Sequence, residues 1–165
     1  MAPTGAERFL EATAHLALAP QRMPDSTHTA AEAAAAVGCD VGAIVKSLVF
    51  LADGEPLLAL VSGDNRADLE RMSAALGATV TKADARAVKA ATGYSIGGVP
   101  PIGHPAPVRT IIDQDLLRFE TVWSAAGDAQ SVFPASPHDL ITWSAGVVAI
   151  IGVRPADSPV ERAEP

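Results

Sequence analysis

Ala43-Ile44-Val45-Lys46-Ser47-Leu48-Val49-Phe50 runs on to Asp53-Gly54-Glu55 and then to the apolar stretch from Pro56 to Ser62, and this succession decides the fold. The β-branched and aromatic content of 43–52 favours an extended strand, Asp53-Gly54-Glu55 turns the chain, and 56–62 returns beside it. The expected product is a central antiparallel hairpin. Lys46 stands out within it, because a cation in an apolar strand is costly unless its amine reaches a partner or a solvent-lined cleft. If alternation puts Ile44, Leu48 and Phe50 on its face, the ammonium is aimed at a concave interior; the competing reading is snorkelling at a sheet edge. The pattern leaves both open.

Helical signals flank the hairpin. Residues 6–18 have apolar positions at helical spacing and end before Pro20, and an irregular segment follows. Thr29 with Glu32 three residues later forms a capping box for a helix that stops near Gly38. Asp64 is expected to cap a helix over 66–76 that Gly77 ends, and Asp84 one reaching Ala91. Short strands are expected at 78–81, 108–113, 120–124 and 131–133. Pro137 suits the first position of a last helix, and 147–153 reads as one closing strand. Helices and hairpins mixed without regular alternation predict an α/β (mixed α+β) domain. Its mixed, partly barrel-like sheet would be surrounded by helices, which is no doubly wound nucleotide fold. One domain over residues 1–153 and a disordered tail over 154–165 are expected.

Between the helical signal ending near Ala91 and the strand at 108 lies Gly93-Tyr94-Ser95-Ile96-Gly97-Gly98-Val99-Pro100-Pro101-Ile102-Gly103-His104. Glycine permits close backbone approach, while Pro100 and Pro101 fix φ and constrain the residues before them. The result is a rigid wall whose main-chain donors come from Ile96, Gly97, Gly98 and Val99, suited to a small polar group.

The net charge of −7 is unevenly spread: residues 42–110 carry seven basic against six acidic side chains, and the acid excess lies outside them. No basic stripe exists for tracking a long nucleic acid, although contact with one terminal nucleotide needs only a few cations. No apolar run approaches a membrane span of about 20 residues, and the N-terminus lacks signal-peptide order, so a cytoplasmic protein without membrane contact is expected. The lone Cys39 excludes an internal disulfide and reads as a packing residue. His15, His28, His104 and His138 share no metal-ligand spacing, so no metal is expected. His28 reads as a turn residue, whereas His104 either borders the loop's pocket or packs within it. There is no dinucleotide or nucleoside-triphosphate loop, hence no cofactor. Ser47, Ser62, Ser95 and Ser131 are candidate polar contacts, but none sits in a Gly-x-Ser-x-Gly elbow or pairs with His and Asp.

The segments Ser26-Thr27-His28-Thr29-Ala30-Ala31-Glu32, Ala43 through Phe50 and Gly93 through Gly103, in that order, resemble the YbaK/EbsC family, free-standing relatives of the bacterial prolyl-tRNA synthetase editing domain. The resemblance covers about residues 5–153. It implies a mixed α/β domain that deacylates mischarged aminoacyl-tRNA, prolyl-tRNA or a related tRNA carrying a small wrong amino acid. Its strand lysine falls on Lys46 and its Gly-x-x-x-Pro loop on Gly97, Gly98, Val99, Pro100 and Pro101. By that resemblance Lys46, Gly97, Gly98 and Val99 carry the reaction and Pro100 and Pro101 belong to the substrate-binding loop; Ser47, Ser62, Tyr94, Ser95, His104 and Ser131 are expected beside them as substrate contacts. The implied partners are the tRNA acceptor end and an aminoacyl-tRNA synthetase that supplies tRNA affinity, for a monomer or a homodimer. Ser131 stands where cysteine-directed relatives often carry an acidic residue, and Ser47 where alanine-directed ones commonly carry asparagine. Serine, threonine and 2-aminobutyrate remain open as the removed amino acid. The alternative is a non-catalytic module that binds aminoacyl-tRNA or nucleotide beside a synthetase; a hydrolase of another small ester ranks last.

Overall fold

The computed structural model, which describes residues 2–23 and 29–155, is organised around the hairpin expected at 43–62. In chain order come α1 (Gly5–Ala12), a 3₁₀ turn (Ala14–Leu16), β1 (Gln21–Arg22), α2 (Ala30–Val37), a second 3₁₀ turn (Val41–Ala43), β2 (Val45–Ala52), β3 (Glu55–Ser62), β4 (Arg66–Ala67), α3 (Leu69–Leu76), β5 (Val80–Lys82) and α4 (Ala85–Thr92). Then follow β6 (Arg109–Asp113), a 3₁₀ turn (Gln114–Arg118), β7 (Val122–Ala125), β8 (Ser131–Ala135), α5 (Pro137–Ser144), β9 (Val147–Ala149) and β10 (Gly152–Val153). His28 and residues 156–165 lie outside the described residues, so the readings placed on them have no structural counterpart here.

β2 and β3 pair antiparallel along their whole length, from Val45 opposite Ser62 to Ala52 opposite Glu55. Asp53 (φ 50°) and Gly54 (φ 84°) both take left-handed conformations, as a two-residue turn between right-twisted strands requires. The hairpin forms the middle of a five-stranded mixed sheet ordered β5-β2-β3-β6-β9, with β6 parallel to β3 and β9 parallel to β6. A three-stranded sheet, β1-β8-β7, and a two-stranded one, β10-β4, complete the set. The bridge between Ile44 and Trp123 links β7 to the start of β2. The described strands thus fall into three sheets, two of which that bridge brings together.

β3 is the buried spine. Leu57, Leu58, Ala59, Leu60 and Val61 are all fully buried, and alternation sends them to opposite sides. Leu58 and Leu60 join Val45, Val49 and Val88 of α4, whereas Leu57, Ala59 and Val61 join Met72 of α3. Caps explain where the helices begin: Thr29 and Glu32 form the expected capping box, Asp84 accepts from the Ala87 N–H, and Ser136 caps α5 with Pro137 next.

Five expectations are corrected. The helix placed over 6–18 stops at Ala12, where the Thr13 hydroxyl donates to the Phe9 carbonyl and Ala17 turns left-handed at φ 54°. The segment after it is not wholly irregular, because Gln21 and Arg22 pair with Val132 and Ser131. The helix placed over 66–76 begins at Leu69 with Asp68 as its cap, since Arg66 and Ala67 pair with Val153 and Gly152. The closing strand over 147–153 is two strands in two sheets, for the chain must swing at Gly152 past Asn65 and Asp113. Arg154, assigned to the tail, is tied to the fold by ion pairs with Asp64 at 3.7 Å and Asp115 at 3.9 Å.

Candidate active site

β5 pairs with β2 only over Phe50–Ala52, so the first half of β2 has β3 on one side and no strand-length partner on the other. A cavity of about 470 Å³ opens along that edge. β2 lines it from Val45 to Val49, β7 contributes Trp123, Ser124 and Ala125, and α2 contributes Ala30 and Ala33. The glycine-proline loop closes a further side with Ile96, Gly97 and Val99, and Asp128, Ser131 and Val132 complete it. Concave sites for small ligands run to roughly 300–1,000 Å³ with few polar groups among apolar walls, and this one matches.

Lys46 and the loop, 51 residues apart at Gly97, therefore share one cavity. Lys46 is half-buried on the face that carries Leu48 and Phe50, and its Nζ donates to the Asn65 carbonyl. Burial lowers its pKa below the usual lysine value, against the pull of the Asp113 and Asp64 carboxylates. Asn65 is itself anchored: its Nδ2 donates to Asp113 at 2.9 Å and to Asp115 at 2.8 Å. Asp113, 1% exposed, also accepts the Ser62 N–H at 3.0 Å. Asp64 lies next to this cluster; burial pushes its carboxyl up, but the Ser62 hydroxyl with Arg118 and Arg154 outweighs burial and lowers it.

The loop is held by internal bonds. The Gly98 N–H donates to the Ser95 carbonyl at 3.0 Å, so it is no free donor, and Gly98 is absent from the cavity wall because it packs on Gly127 and Asp128. The Gly97 and Val99 N–H groups make no hydrogen bond among the described residues. Tyr94 is buried, with its hydroxyl donating to the Gly103 carbonyl at 2.8 Å, and Arg8 lies over its ring.

Of the residues expected to meet substrate, Lys46, Ser47, Gly97, Val99 and Ser131 line the cavity. Ser62 is fully buried, donating to the Gly42 carbonyl at 2.6 Å, and Ser95 is exposed outside the wall. Pro101 and His104 line a separate cavity of about 250 Å³ on the far side of the loop, with Trp143 and Thr110. His104 Nε2 lies 2.8 Å from the Pro100 carbonyl, and burial lowers its pKa despite that bond. Pro100 is buried, and Tyr94 and Pro100 line neither cavity. The sequence reading does not single out Trp123, Ser124 and Asp128 as site residues, and the four-residue strand β7 offers no pattern long enough to do so. No group of three or more metal-ligating side chains occurs among the described residues, and no described helix is long and apolar enough to cross a membrane.

Residues 24–143, which contain both β2 and the loop, match the family model described as aminoacyl-tRNA editing domain. The chain belongs to that family. This editing-domain chain is 31% identical over 120 residues to the uncharacterized protein YwhH of Bacillus subtilis (strain 168), covering 72% of this chain and 76% of YwhH. It is 37% identical over 90 residues to the proline–tRNA ligase of Nitratidesulfovibrio vulgaris (strain DP4), a match of 54% of this chain but 16% of the ligase. Among solved structures it is similar to one described as a candidate trans-editing enzyme for prolyl tRNA synthetase, at 39% identity and a TM-score of 0.86, covering 93% of this chain and 99% of that one. The mixed α+β fold and the YbaK/EbsC resemblance read from the sequence are thereby shown.

Proposed function

We propose that this protein is an aminoacyl-tRNA deacylase acting in trans, which hydrolyses the ester joining a small, wrongly attached amino acid to the terminal adenosine of prolyl-tRNA or a related tRNA. One observation carries the reading: Lys46 and the Gly97–Val99 wall border a single cavity of about 470 Å³. An aminoacyl ester is already activated, so positioning it and stabilising its developing oxyanion supply much of the rate without a protein nucleophile. Among the described residues the lining contains no histidine and no cysteine, and neither Ser47 Oγ nor Ser124 Oγ hydrogen-bonds to a base. Water then attacks the ester carbon, the ribose oxygen of the ester leaves and takes up the proton that the water gives up, and the neighbouring ribose hydroxyl assists by hydrogen bonding. The Gly97 and Val99 amides receive the carbonyl oxygen as it gains charge, and the Lys46 ammonium supplies positive potential at the strand edge. The unit spans residues 1–153 and works in the cytoplasm, and the acidic surface assigns most of the tRNA affinity to a synthetase partner.

The test is a panel of mischarged tRNAs incubated with the purified protein. Loss of the amino acid well above spontaneous hydrolysis, reduced about 100-fold in Lys46→Ala, is the expected result. If no tRNA in the panel is deacylated faster than in buffer, or if Lys46→Ala keeps the full rate, the reading fails. Saturable binding without turnover selects the non-catalytic module in its place.

A further inference from the structure

Ser124 is 1% exposed and lines the cavity, yet its Oγ has no hydrogen-bond partner among the described residues. Ser47 Oγ is in the same condition and lines the same cavity. Buried hydroxyls are almost always satisfied, so two orphans in one wall call for a physical reason. Strand geometry places them together. Ile44 bridges Trp123 in parallel register, and one step along both strands sets Val45 beside Ser124, with Ser47 two residues further on the same face. The surroundings on that face are apolar: Val45, Val49, Val88 and Val99 belong to one buried cluster.

Resting on the deacylase reading above, we infer that Ser47 and Ser124 select a hydroxyl-bearing amino acid, serine or threonine, as the group to be removed. A substrate hydroxyl has one proton and two lone pairs, so it donates to one serine and accepts from the other. An apolar side chain of equal size leaves both serines unpaired, as they are without ligand, and forgoes the hydrogen bonds that a hydroxyl makes there. A cysteine thiol is a weak donor and a weak acceptor and satisfies them poorly.

Two matched pairs test this, each differing by a single hydroxyl: seryl- against alanyl-tRNA(Pro), and threonyl- against 2-aminobutyryl-tRNA(Pro). Each rate is divided by spontaneous hydrolysis of the same ester. The hydroxylated member of each pair is expected to be cleaved at least about tenfold faster, and Ser124→Ala to bring the ratio to within about threefold of unity. The same substitution should leave the melting temperature unchanged or raised, because the hydroxyl it removes has no partner in the protein; a structural hydroxyl would lower melting and leave the ratio alone. Equal or faster cleavage of the alanyl and 2-aminobutyryl esters, or a ratio indifferent to Ser124→Ala, overturns the inference. Should no ester be cleaved, the deacylase reading falls by itself, and the amide-linked analogues 3′-seryl- and 3′-alanylamino-3′-deoxyadenosine still decide selectivity. Tighter binding of the seryl analogue, lost in Ser124→Ala, supports it, and equal binding refutes it.

Discussion

Gly98 rests directly on Asp128: a Cβ on this glycine would lie 2.7 Å from the Asp128 Cα and 2.9 Å from the Gly127 carbonyl oxygen. Both are main-chain atoms, which cannot swing aside as a side-chain tip can. The glycine-proline loop is thus seated on the β7–β8 turn, and the two together form one end of the cavity. Gly98→Ala should destabilise the protein by about 1–3 kcal/mol through overpacking and push Gly97 and Val99 off their positions. Chemical denaturation would show the first effect and deacylation the second; an alanine variant with unchanged midpoint and rate would mean the loop is not seated this way.

Lys46 links pH to stability. Its folded pKa is lowered from 10.5, mainly by burial, so the native state holds the proton less tightly than the unfolded chain does. The charged lysine therefore destabilises the fold below the lowered pKa, and that penalty fades as pH rises through it towards 10.5. The stability of wild type relative to Lys46→Met should improve over that alkaline interval. Paired urea titrations at a series of pH values measure it, and a constant or widening gap contradicts it.

His104 acts at the opposite end of the scale. Burial lowers its pKa below 6.5, so the folded state keeps the ring neutral while the unfolded chain takes up the proton. Its contribution is present above 6.5 and is lost as pH falls from there through the lowered value. Melting temperatures of wild type should drop more steeply on acidification than those of His104→Gln, which keeps an N–H for the Pro100 carbonyl. Parallel slopes would remove His104 as the cause.

Asp113 receives three donors: its Oδ2 accepts from the Ser62 N–H and the Asn65 Nδ2, and its Oδ1 from the Asp115 N–H. An amide in its place offers one acceptor atom and turns an NH₂ towards at least one of those donors. Asp113→Asn is expected to cost about 2–3 kcal/mol by urea denaturation, as hydrogen bonds to charged groups do. Because Asn65 presents the carbonyl that holds Lys46, deacylation should fall as well. A loss below about 0.5 kcal/mol would place the cluster's weight elsewhere.

The parts legible in the sequence are those fixed by neighbours in the chain. The Asp53-Gly54 turn, the Thr29–Glu32 capping box, the Asp84 cap and Pro137 at a helix start each act within a few residues, and each stands where it was expected. Asp64 failed as a cap because distant Arg118, 3.2 Å away, and Arg154 hold its carboxylate, while Asp68 takes the role. The pairing of Gln21 with Val132 and the split at Gly152 are likewise decided by partners far along the chain. Among the residues that line the cavity, Lys46, Ser47, Gly97, Val99 and Ser131 are the ones that residue type and resemblance single out. Ser124 and Trp123 were missed because four residues of β7 carry too little pattern to show which face is buried, and Ser62 looked free until Gly42 took its hydroxyl.

The Asp53-Gly54 turn thereby governs the site's chemistry from a distance. Since neighbours along a strand face opposite ways, sliding β2 by a single residue against β3 would turn the ammonium and the adjacent hydroxyl each to the other face of the sheet. A turn variant that still folds but shifts the pairing would keep every side chain and present the wrong one to the cavity. The two residues at the hairpin tip are the molecule's ruler.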